Sequence, residues 1–126
     1  MPSEPLGILL ISGTHERAHY AFMLAAGAAA LGRRVVLFAT NAGCRALMVD
    51  RSGLDAPGRD ADVRARGVAG LDELVEAAAE LGVRRIACEA GLRMIDAADA
   101  ALAPGVETAG IATFLEAVGA GQIVTL

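Results

Sequence analysis

Lysine is absent from this chain: all eleven cationic side chains are arginine, and they are scattered rather than gathered into a basic run. Tryptophan is absent too, and the aromatic complement is limited to Tyr20, Phe22, Phe38 and Phe114. With a net charge of −4, neither a basic patch nor basic and aromatic residues interleaved are available to hold a nucleic acid. Cysteine is sparse, with only Cys44 and Cys88, so neither a disulfide framework nor a cysteine-rich zinc site is encoded. No apolar run approaches the roughly 18 residues that a membrane span requires. Met1-Pro2-Ser3-Glu4-Pro5 lacks the charged start of a signal peptide, so a reducing cytoplasm is the expected setting and a permanent disulfide is not. Missing as well are the Gly-x-Gly-x-x-Gly spacing and the phosphate-loop lysine, which argues against a nucleotide.

What is abundant is aliphatic. Hydrophobic residues make up 55% of 126 positions, mostly Ala, Val, Leu and Ile, with 15 glycines besides. That length predicts a single domain over 1–126 with a core of its own. An apolar share this high in a small chain also predicts that part of it is covered by another subunit, hence a homo-oligomer.

Leu6 to Ser12 is a continuous apolar run bounded by Pro5 and Gly13, the pattern of a parallel strand covered on both faces. Thr14 is placed to cap a helix reaching about Leu31, where Gly32 stops it, with Glu16 in its first turn. A second run, Val35 to Ala39, leads to Asn41 as a predicted N-cap and a short helix from Ala42 to Val49. Residues 50–69 break the pattern with four arginines and four aspartates and read as a solvated, mobile loop, the alternative being a lid over the site. Helical order returns from Leu71 to Leu81, with Leu71, Leu74, Val75, Ala78 and Leu81 on one face, and ends at Gly82. A strand ending on Cys88 follows, then a helix from about Ala90 to Ala97 and a second helical piece near Asp99 to Leu102. A brief strand over Val106 to Thr108, a helix through Val118 and a last strand over Gln122 to Leu126 complete the chain. Strands alternating with helices imply an α/β fold with a parallel sheet and helices on both faces.

In such a sheet, sites gather at the carboxyl ends of the strands. Three strand ends carry useful chemistry here: Ser12-Gly13-Thr14-His15, Thr40-Asn41-Ala42-Gly43-Cys44 and Cys88-Glu89-Ala90-Gly91. Cys88 stands where a strand meets a helix, facing backbone N–H groups without intrahelical acceptors and the positive end of the helix dipole, which favours the reactive thiolate. The alternative is that Cys88 is a small buried apolar residue, as most free cysteines are. Cys44 is either core or a second thiol. Arg45 and Arg93 add positive potential nearby, and Glu89 either opposes thiolate formation or accepts a proton. His15 is read as a base or anion contact on the rim together with Ser12, Gly13, Thr14, Asn41 and Gly91, and His19 as a surface or interface residue. The two histidines share a helix face, yet no third ligand lies at a recognisable spacing, so neither a metal nor a cofactor is expected.

Three blocks together resemble the DsrE/DsrF-like sulfur-relay family, in particular its DsrE-like branch often labelled peroxiredoxin-like. The first is Ile8 to Gly13 with the helix Ala21 to Gly32 and the strand Val35 to Thr40; the second is Leu81-Gly82-Val83 leading into Ile86-Ala87-Cys88; the third is Pro104 to Leu115 with the closing apolar strand. The resemblance implies a three-layer α/β/α domain with a five-stranded parallel sheet, assembled into oligomers. It also implies that Cys88 carries persulfide sulfur between proteins, with TusA-like or rhodanese partners. Peroxide chemistry is not expected, because no peroxiredoxin active-site motif is present. Members of the branch commonly have serine three residues after the cysteine and glycine eight after it, where this chain has Gly91 and Asp96. The expected activity is that of a sulfur carrier or sulfurtransferase. Its rivals are a non-catalytic oligomeric protein binding a small anion or metabolite, and a redox sensor using Cys44 and Cys88.

Overall fold

A computed structural model describes residues 4–56 and 58–126. Five strands, β1 (Leu6–Leu10), β2 (Val35–Ala39), β3 (Arg84–Cys88), β4 (Glu107–Ala109) and β5 (Ile123–Thr125), form one sheet in the order β4-β3-β2-β1-β5. Every neighbouring pair is parallel. The helices are α1 (His15–Ala30), α2 (Arg59–Ala65), α3 (Leu71–Glu80), α4 (Glu89–Met94) and α5 (Ile111–Val118), with a 3-10 helix over Asn41–Leu47.

Strand order dictates the layers. From β1 to β4 each strand is laid beside the last in one direction, whereas β5 returns to the far side of β1. Right-handed crossovers therefore put α1, α3 and α4 on one face and α5 on the other. The core divides accordingly. Leu6, Ile8, Leu10, Val35, Leu37, Ala39 and Ala87 pack with α1, α3, α4 and the 3-10 helix. Val36, Phe38, Ile86 and Cys88 face α5 through Phe114 and Val118, with the Phe38 and Phe114 rings stacked at 5.0 Å between centroids. This is the predicted three-layer α/β/α domain with a five-stranded parallel sheet. Among the described residues no helix is long and apolar enough to cross a membrane.

Several local expectations are corrected. Residues 50–69 are not structureless: they contain α2 and are tied to the body by Asp60, whose Oδ1 accepts from His15 Nε2 at 2.9 Å and from the Leu71 N–H at 2.8 Å. Asp55 N–H adds a bond to Gly13 O at 3.0 Å. The predicted helical piece at 99–102 is absent, because this stretch runs antiparallel beside residues 47–49, with Val49 N–H donating to Ala101 O and Ala103 N–H to Leu47 O. Asn41 is not an N-cap; Thr40 holds that position and Asn41 opens the 3-10 helix at φ +50°. His19 is not a surface residue but 5% exposed, its Nε2–H donating to Ala69 O at 2.8 Å.

Candidate functional site

The loops after β1, β2 and β3 pack into one rim, and three glycines permit it. A Cβ on Gly13 would stand 2.7 Å from the Ala42 Cβ, and one on Gly43 would strike Leu10 O. A Cβ on Gly91 would strike the Asn41 backbone N and approach Thr40 Oγ1 to 2.5 Å. The Gly43 N–H donates to Ile11 O at 3.0 Å, which joins the first two loops directly. Asn41 and Gly91 are thus in contact, and through Gly91 the second loop reaches the turn that holds Cys88.

Cys88 ends β3 and occupies the N-cap position of α4, where its Sγ accepts from the Gly91 N–H at 3.3 Å. The alternation of β3 turns the thiol toward α5, among Val36, Phe38, Ile86, Phe114 and Val118. It is 7% exposed. Cys44 is wholly enclosed on the other side of the sheet end, its thiol directed at Ala39 O at 3.4 Å. Burial pushes the Cys44 thiol up to about 11; the Cys88 N–H and Arg45 pull it down less than burial raises it, and charge on Cys88 raises it further. The two cysteines are therefore neighbours, and of the two only Cys88 keeps contact with water.

The remaining rim residues divide. Thr14 caps α1 by accepting from the Arg17 N–H, and its hydroxyl is paired with Ser12 Oγ at 3.1 Å, so both hydroxyls are engaged locally. Glu89 is exposed in the first turn of α4, and Arg93 is exposed in its last. His15 is not joined to the thiols: it is 4% exposed, bound to Asp60 and stacked on His19 at 5.6 Å. Among the described residues no group of three or more His, Cys, Asp or Glu side chains is disposed to hold a metal. Asp60 went unnoticed in sequence because nothing distinguishes it from the other aspartates of its arginine-rich stretch.

The two departures from the resembling branch have geometric causes. Serine at position 91 would place its Cβ in the volume that Thr40 and Asn41 fill. Asp96 stands at φ +55°, a left-handed position after the end of α4 that glycine adopts freely and aspartate tolerates.

The comparisons agree with this architecture. A sulfur carrier protein, DsrE2 from Allochromatium vinosum, is 29% identical, with 98% of each chain covered. The ychN protein from E. coli has the same fold at a TM-score of 0.75, covering 98% of this chain and 100% of that one, at 13% identity. The model of the DsrE/DsrF/DrsH-like family matches residues 49–126, the part of the chain that contains Cys88 and α4, and the chain belongs to that family.

Proposed function

We propose that this protein is a sulfur carrier of the DsrE type that holds sulfane sulfur on Cys88 as a persulfide. The observation that carries the reading is the position of Cys88: it ends a strand, its sulfur accepts from the Gly91 N–H, and the residue is 7% exposed where Cys44 is fully buried. A relative named as a sulfur carrier supports it. In the forward step the Cys88 thiolate attacks the outer sulfur of a donor persulfide, R–S–SH; the S–S bond breaks, R–S⁻ leaves and Cys88–S–SH forms. An acceptor thiolate then takes the outer sulfur by the same exchange, with no net oxidation. With 7% of Cys88 exposed, transfer requires a local opening on the α5 side as a partner docks. TusA-like or rhodanese proteins are the partners this reading names, in a reducing cytoplasm, with this chain as a homo-oligomer.

The test is intact mass after incubation with a small-molecule persulfide. Wild type gains about one sulfur atom, lost again on reduction, whereas Cys88→Ser gains none and Cys44→Ser behaves as wild type. No gain on wild type, or equal gain on Cys88→Ser, overturns the reading. The adjacency of Cys44 supports a second reading, a thiol pair that an added mild oxidant such as diamide converts to a disulfide while the oxidant takes up the two electrons, and it requires loss of two thiols with no change in subunit mass beyond two hydrogen atoms.

A further inference from the structure

We propose that the cleft between α1 and α2 is a binding site for a small organic acid with an apolar body, independent of the chemistry at Cys88. The cleft is open to solvent on one side and has a volume of about 500 Å³, within the size range of small-molecule sites. Its apolar lining comes from Tyr20 and Met23 on α1, Val63 and Val68 on the segment opposite, and Leu126. Helix α2 contributes no buried residue to either core. Its valine and the one that follows it instead line this space, and Tyr20 and Val68 are among the exposed large apolar side chains.

The wall is fixed at three places. Asp60 binds His15, the carbonyl of Ala69 accepts from His19, and Arg59 pairs with Glu16 at 2.8 Å. Each tie joins α1 to the opposite segment, so the cleft is formed before any ligand arrives and little ordering is left to oppose binding. The charge at its mouth selects the ligand. Glu16 neutralises Arg59, whereas Arg17, which also lines the cleft, makes no ion pair among the described residues. An apolar floor beside an unpaired guanidinium fits a hydrocarbon or aromatic body bearing one carboxylate.

Octanoate and 1-octanol are the probes, titrated into isotope-labelled protein and followed by amide and methyl NMR. The expected result is saturable shifts at Tyr20, Met23, Val63, Val68 and Leu126, with octanoate bound about tenfold more tightly than 1-octanol. Arg17→Ala, an exposed change, removes that tenfold advantage and leaves 1-octanol binding unaltered. Equal binding of the two probes, no saturable shift in the millimolar range, or shifts in the cleft that follow protein concentration instead of ligand overturn the proposal. The last outcome makes the cleft a contact between copies of this chain. Because none of these readouts involves a thiol, failure here and failure of sulfur transfer at Cys88 are separate results.

Discussion

Restoring serine at position 91 tests whether the rim is as closed as its glycines indicate. The side chain of Gly91→Ser would begin with a Cβ in collision with the Asn41 backbone N and 2.5 Å from Thr40 Oγ1, and 2.9 Å from the Thr40 Cα. Two of these three neighbours are backbone, so rotation of a side chain cannot relieve the overlap. Forcing extra atoms into a packed site costs about 1–3 kcal/mol, and replacing glycine within a helix returns roughly 0.5 kcal/mol. The expected net loss is about 0.5–2.5 kcal/mol, a decrease of roughly two- to seventyfold in the folding equilibrium constant, read from the urea midpoint. Gly27→Ser is the matched control: it lies in α1 with nothing within 4 Å of its added Cβ and should change stability by less than about 0.5 kcal/mol. Adding Thr40→Ala to Gly91→Ser should restore only part of the loss, because Asn41 N stays in place. A Gly91→Ser protein that unfolds at the wild-type midpoint refutes the close packing of these two loops.

The thiols and the Asp60 clasp provide further checks. With its thiol at about 11 and no exposure, Cys44 should alkylate at neutral pH only as fast as the protein opens, on the order of 10⁻⁴ of it being ionised at pH 7; labelling of Cys44 in Cys88→Ser at the rate of a free thiol contradicts this. Asp60→Asn should lower stability by about 1–2 kcal/mol, since it weakens the acceptor shared by His15 and the Leu71 N–H and removes the charge facing Arg64 at 3.2 Å. Burial raises the Asp60 carboxyl, but the Leu71 N–H, His15 and Arg64 together hold it below its ordinary value of 3.8. A depressed native value means the clasp stabilises fully above about pH 4 and fades as pH falls through the native value. Denaturation followed from pH 6 to pH 2 should therefore show wild type losing stability faster than Asp60→Asn below pH 4, and parallel curves refute the assignment.

The layers were legible because the central strands are specified by their own residues: Val35 to Ala39 is buried throughout, and Leu6 to Leu10 nearly so. Helix α1 announced its start through Thr14, whose cap depends on atoms three residues away. The segments that were misjudged are those whose conformation is fixed from a distance. Helix α2 has no periodic apolar face and is held in place by bonds that span 11 to 50 positions, from Asp60 to Leu71 and His15 and from Ala69 to His19. Residues 101–103 are extended because Leu47 and Val49 pair with them, and no local pattern encodes that.

The same distinction bears on the site itself. From sequence, Gly91 and Asp96 are departures from the branch, the first of which removes a hydroxyl close to the sulfur. In the fold, Thr40 Oγ1 stands where a side chain on residue 91 would begin, so a hydroxyl is still present beside the Cys88 turn, supplied from the neighbouring loop. Asp96 keeps the left-handed conformation, and the Ala97 N–H to Leu92 O bond of 2.8 Å closes the end of α4 as it would with glycine. With Gly91 and Asp96 in place, the Gly91 N–H still reaches the Cys88 sulfur and α4 still closes after Met94. The two departures give no reason to separate this chain from the sulfur chemistry of its family, and the decision passes to whether Cys88 takes up sulfur.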